Sequence, residues 1–171
     1  VILGALLHDI GKFRERTFET LPSWAERYVN EAKYSHEPFS ADFADKYADS
    51  WVENKQTLIQ LVLKHHSPSL PDEWIIHLAD RLSAYERAEA EGDQEGARGR
   101  AESVLCSILS RIKLDDRKAD ASLYHALAAL SLEQDVLMPT KEAGGSKEAY
   151  EGLWQGFTEE ILRIPSGDYL S

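Results

Sequence analysis

Across the opening stretch VILGALLHDIGKFRER, nearly every early position is apolar, and polar groups appear only from His8 onward. That pattern predicts a buried helix whose later turns reach solvent. Gly4 and Gly11 weaken a helix, so each is expected to serve close packing or a turn beside the histidine. Leu21-Pro22-Ser23 starts a second helix running to Lys33, with the proline in its first turn. Ser35-His36-Glu37-Pro38 interrupts that helix and opens a third, which runs to Tyr47. From Glu53 to His66, Leu58, Leu61, Val62 and His65 recur at helical spacing, and Ser67-Pro68-Ser69-Leu70-Pro71 ends the run. Pro71-Asp72 opens a fifth helix carrying a stripe of Trp74, Ile75, Leu78, Leu82 and Tyr85. Trp51, Trp74 and Trp154 sit at helical apolar positions and are read as core.

The polar stretch Gly92 to Gly99 is the best internal boundary. Beyond it, SVLCSILSRIKL fits strand or helix equally, because a short apolar run does not discriminate. ASLYHALAALSL reads as an Ala/Leu-rich helix in which His125 is structural. A Met138-Pro139 turn and a Gly144-Gly145 break precede a last helix from Lys147 to Arg163, with Tyr150, Leu153, Trp154, Phe157 and Ile161 on one face. The expected organisation is a mostly α domain over residues 1–90 and a connecting region over 91–171 that includes a short β element.

Composition narrows the function. The chain has 171 residues, 43% hydrophobic and 29% charged, enough apolar content for a core. Its net charge of −11, from 19 basic and 30 acidic residues, argues against binding nucleic acid through a broad basic surface. A metal centre adds local positive charge that such a count omits. Cys106 is the sole cysteine, so no internal disulfide forms, which fits a reducing cytoplasm. No apolar run approaches membrane-span length, so no membrane partner is expected. Both ends read as cut from something longer.

Candidate chemistry comes from the histidines. His8-Asp9 follows an apolar helix, where an ionised aspartate is costly without a partner. A divalent cation is such a partner, and mixed imidazole and carboxylate donors suit Mn, Fe, Co, Ni or Zn better than Ca. In IIHLADRLSAYER, Asp80 interrupts another apolar helix and needs compensation in the same way. His36 lies at a helix start, and His65-His66 precede a Pro-bounded turn. Together His8, Asp9, His36, His65, His66 and Asp80 make a candidate site for one or two ions. His8 and Asp9 are the candidate catalytic pair. Lys12, one turn after Asp9, is a candidate catalytic and phosphate-contacting residue. His77, three residues before Asp80, is a candidate substrate-side residue or a surface histidine.

The order His8-Asp9, His36, His65-His66, Ala79-Asp80 resembles the HD superfamily of metal-dependent phosphohydrolases. More narrowly, ALLHDIGKF, YSHEPFSADF, LKHHSPS and ADRLSAYERAE resemble the N-terminal HD nuclease domain of the large subunit of type III CRISPR effector complexes, in its type III-A form. The resemblance implies a circularly permuted HD helical bundle and cleavage of single-stranded DNA with a transition metal. It implies partners as well: the other subunits of an RNA-guided complex, its guide RNA, and a palm domain beyond this chain. It assigns the metal centre to His8, Asp9, His36, His65, His66 and Asp80. Two rivals remain: an HD phosphohydrolase of nucleotides or cyclic dinucleotides, and an assembly module with a residual site.

Overall fold

The computed structural model describes residues 1–17, 19–90, 105–107, 123–129, 138–141 and 147–165. The opening pattern does not form one helix. It gives α1 (Ile2–Leu7) and α2 (Ile10–Glu15), broken where Asp9 leaves helical geometry at φ −102° and ψ 5°. The expectation of a buried first helix is also corrected. Gly4 and Leu7 turn inward, whereas Ile2 and Leu6 are each 75% exposed. Gly4 is small because α1 crosses other helices there: a Cβ would lie 3.0 Å from Ile76 Cδ1 and 3.1 Å from Leu61.

The second predicted helix is short. A 3-10 turn at Ser23–Ala25 leads into α3 (Glu26–Val29), which ends well before Lys33. The third is found as expected, as α4 (His36–Tyr47). Pro38 is tolerated because the first helical turn has no intrahelical N–H bonds to lose. Next comes α5 (Lys55–Lys64), capped by the Asn54 side chain, which accepts from Thr57 N at 3.0 Å. It ends against the double histidine. The long α6 (Pro71–Ala90) follows.

The core lies where α4 packs against α2 and α5. Phe43, Ile59, Val62 and Leu63 are buried there, each such side chain contributing roughly 1.5–3 kcal/mol of transfer free energy. The last helix, α7 (Lys147–Arg163), joins this core from far along the chain. Trp154 and Phe157 pack on Phe43, and Phe13 of α2 meets Trp154 edge-on at 5.2 Å. Arg16 donates to the Tyr150 hydroxyl at 2.7 Å. Trp51 and Trp154 are therefore core residues, as read from the pattern.

Trp74 is not. The apolar stripe of α6 points outward: Trp74 is 47% exposed, and Ile75, Leu78 and Leu82 more so, while Ile76 on the opposite side is buried. Periodicity located an apolar face but not what covers it. His125 is a second correction. It lies in β2 (Tyr124–His125), antiparallel to β1 (Leu105–Cys106), not in a helix. A bridge from Tyr124 to Thr140 extends this small β element. The Gly92–Gly99 loop, the Gly144-Gly145 break and most of SVLCSILSRIKL lie outside the described residues. No described helix is long and apolar enough to cross a membrane.

Candidate metal centre

The break between α1 and α2 creates the site. His8 closes α1 and Asp9 caps α2, so adjacent residues are aimed by two helices instead of one. Ser40 of α4 fixes this corner. Its hydroxyl accepts from Gly11 N at 2.9 Å and donates to the His8 carbonyl at 2.8 Å. Gly11 permits the approach: a Cβ there would sit 2.0 Å from the His36 carbonyl oxygen.

On α4, His36 stands at the first position and brings Nε2 to 3.3 Å from Asp9 Oδ1. Beneath it, the fully buried Glu37 accepts from Lys33 N at 2.5 Å and Tyr34 N at 2.6 Å, holding the approach to the helix. His65 at the end of α5 places Nε2 3.8 Å from the same Asp9 oxygen. Its ring lies 5.0 Å from that of His8 and 4.0 Å from that of His66. From α6, Asp80 Oδ1 reaches to 3.6 Å from His8 Nε2. All six predicted ligand residues thus converge, in two groups that share Asp9: Asp9, His36, His65 and His66, and His8, Asp9 and Asp80. Within each group the donor atoms lie within 4.8 Å of one another.

Hydrogen bonds at the far ring nitrogens set the chemistry. His8 Nδ1 lies 2.7 Å from the Ala5 carbonyl, and His65 Nδ1 2.8 Å from that of Val62. A carbonyl only accepts, so each Nδ1 carries the proton, and in the neutral ring Nε2 presents a lone pair to the centre. Among the described residues, His8 Nε2, Asp9 Oδ1, His65 Nε2 and His66 Nε2 are buried with no hydrogen-bond partner. Orphaned buried atoms of this kind carry a free-energy cost unless something binds them. Nitrogen and oxygen lone pairs facing one point fit a divalent transition metal.

The electrostatics agree. Burial pushes His65 down to about 3, reinforced by neighbouring His66 and opposed by its bond to Val62. His66 is lowered as well, by burial, against the pull of Asp80 and Asp9. For Asp9, burial acts upward. It is outweighed by the Lys12 hydrogen bond and the charges of His8, Lys12 and His36, which hold the carboxyl below its ordinary value. At neutral pH His65 and His66 are thus neutral imidazoles and Asp9 is an ionised carboxylate, the states that bind metal.

Lys12 and His77 are placed less centrally. The Lys12 ammonium lies on Asp9 Oδ2 at 2.6 Å. His77 bonds the His65 carbonyl through Nδ1 at 2.7 Å and so braces the double-histidine turn. Sequence reasoning passed over Ser40, Glu37 and Glu73. Glu73 is buried and accepts from Ser69 N, Leu70 N and Ser69 Oγ, closing the turn between His66 and α6. Its carboxylate reaches back to backbone N–H groups ahead of α6, as the acceptor half of a capping box does, but Leu70 and not Ser or Thr stands three residues before it. Ser40 stands one helical turn after His36, on the same face. Two clefts, of about 390 and 420 Å³, open elsewhere, and no residue of the centre lines either.

A helical bundle that gathers histidines and aspartates around one point is the architecture of a metal-dependent hydrolase. Residues 1–85 match the HD domain family, and this part of the chain is an HD domain. HD domains bind divalent metals and form a superfamily of metal-dependent hydrolases. The chain is also 29% identical over 167 residues to the CRISPR system single-strand-specific deoxyribonuclease Cas10/Csm1 (subtype III-A) of Methanocaldococcus jannaschii. That match covers 93% of this chain and 20% of the relative, so the chain spans about a fifth of that protein's length. No solved structure matches.

Proposed function

We propose that the chain is a metal-dependent nuclease that cleaves single-stranded DNA as part of a type III CRISPR RNA-guided complex, in the cytoplasm, alongside the complex's other subunits and guide RNA. The observation that carries this reading is the convergence of His8, Asp9, His36, His65, His66 and Asp80 from five helices of an HD domain. The similarity to a single-strand-specific deoxyribonuclease supports the choice of substrate. The exposed apolar stripe of α6 supports a role among partner subunits. The organisation proposed is an HD module over 1–90 and a connecting region over 91–171, with α7 of that region seated on the module's core.

On this reading Asp9, His36, His65 and His66 hold one ion, and His8, Asp9 and Asp80 a second. When bound, divalent ions neutralise a phosphodiester oxygen and make a water more acidic. The chain's own residues prepare the site. Lys12 keeps Asp9 ionised, and its ammonium stands ready for the incoming phosphate. The Ala5 and Val62 carbonyls hold His8 and His65 in the tautomer that points a lone pair inward. Ser40 locks the corner that aims His8 and Asp9.

The test is cleavage of labelled single-stranded DNA by the full chain with Mn²⁺, beside a His8→Ala/Asp9→Ala variant. Cleavage by the unaltered chain alone is expected. Equal cleavage by both proteins contradicts the assignment.

A further inference from the structure

Tyr34 has no part in the metal centre, yet it lies against it. Its ring is nearly parallel to His36, at 14° and 6.1 Å between centroids, and meets His66 edge-on at 4.6 Å. Those histidines are buried or half-buried, whereas Tyr34 is 43% exposed. A ring serving only the core would be covered. This one backs onto two candidate ligands and also presents surface to solvent. Its mounting is rigid, because Tyr34 N donates to the buried Glu37. The Lys33 ammonium lies over the ring, 5.4 Å from its centroid, on a long side chain that can swing from the ring to a phosphate. On a chain of net charge −11, affinity for an anionic strand must come from local features of this kind.

We propose that Tyr34 is a stacking platform that seats an unpaired nucleobase beside the phosphodiester to be cut, with Lys33 following the adjoining phosphate. The proposal rests on the nuclease reading above and deepens it. Every base offers a π-face, so the platform tolerates sequence. A duplex keeps those faces stacked on neighbouring bases, so the platform selects single strands.

The experiment uses the full chain, labelled oligothymidylate and an abasic strand of equal length. Binding is read by fluorescence anisotropy, Mn²⁺ affinity by calorimetry, and cleavage in parallel. Tyr34→Ala is expected to weaken oligothymidylate binding about ten-fold, and Tyr34→Phe by less than about two-fold. Binding of the abasic strand and of Mn²⁺ stays the same in all three proteins. Should Tyr34→Ala fail to fold, Tyr34→Leu keeps the bulk and removes the π-face, with the same loss expected. Unchanged oligothymidylate binding overturns the platform while the nuclease reading stands. So does an equal loss on the abasic strand, or weakened Mn²⁺ binding in Tyr34→Ala, since the ring then only supports the ligands. Absence of cleavage by the unaltered chain overturns the nuclease reading and the platform with it.

Discussion

His36 Nε2 and Asp9 Oδ1 lie 3.3 Å apart although they belong to different helices. The contact joins the start of α4 to the corner between α1 and α2, and His65 approaches the same oxygen from α5. Asp9 is thus the one residue common to both donor groups. Replacing it with asparagine keeps the shape and removes the shared charge. Asp9→Asn is expected to weaken Mn²⁺ binding by more than about a hundred-fold, beyond the loss typical of outer hydrogen-bond partners. Calorimetric titration checks this, and affinity within a few-fold of the unaltered protein contradicts it.

Asp80 belongs to only one group, with His8 and Asp9. Asp80→Asn is expected to lower the number of bound metal ions per chain while the site at Asp9, His36, His65 and His66 keeps its ion. Elemental analysis after dialysis reads the ratio. An unchanged ratio removes Asp80 from the ligand set.

Gly11→Ala sets two effects against each other. Alanine improves helix propensity by about 1 kcal/mol. Its Cβ, however, would lie 2.0 Å from the His36 carbonyl and 2.7 Å from Ser40 N, and backbone cannot yield as a flexible side chain can. The clash wins, with a net loss of about 2–3 kcal/mol expected in urea unfolding. Gly4→Ala meets side-chain atoms at 3.0–3.1 Å and loses less. The reverse order would place the corner elsewhere.

Stability of the metal-free protein depends on pH through His65. The unfolded chain takes up a proton near 6.5, which the buried folded ring refuses until about 3. This contribution is therefore full above pH 6.5 and is lost as pH falls toward 3, by up to about 1.4 kcal/mol per pH unit. His66, lowered for the same first reason, acts in the same direction. The urea midpoint of metal-free protein is expected to fall between about pH 7.5 and pH 5. A midpoint that does not move contradicts a buried neutral His65.

The candidate ligands were legible because each interrupts an apolar run or marks a helix boundary, where an unpaired polar group is costly. Ser40 and Tyr34 were not, since a hydroxyl or ring on a helical stretch looks the same whether it meets solvent or a distant backbone. The α6 stripe misled for a related reason: period reports which residues share a face, and Asp80 and Ile76 occupy the side that meets the fold. His125 misled because an Ala/Leu-rich stretch favours helix locally, while pairing of Tyr124 with Cys106 and Thr140 overrides that preference. The opening run concealed its break, because only the long-range clamp of Ser40 on His8 and Gly11 reveals it.

On the proposed reading, a cation draws Asp9, His36, His65 and His66 together. Anomalous diffraction from crystals soaked in Mn²⁺ tests it most directly. A peak bonded at about 2.2 Å to Asp9 Oδ1 and to the Nε2 atoms of His36 and His65 is expected. Density showing these atoms bonded only to ordered water, with the anomalous signal elsewhere, would contradict it.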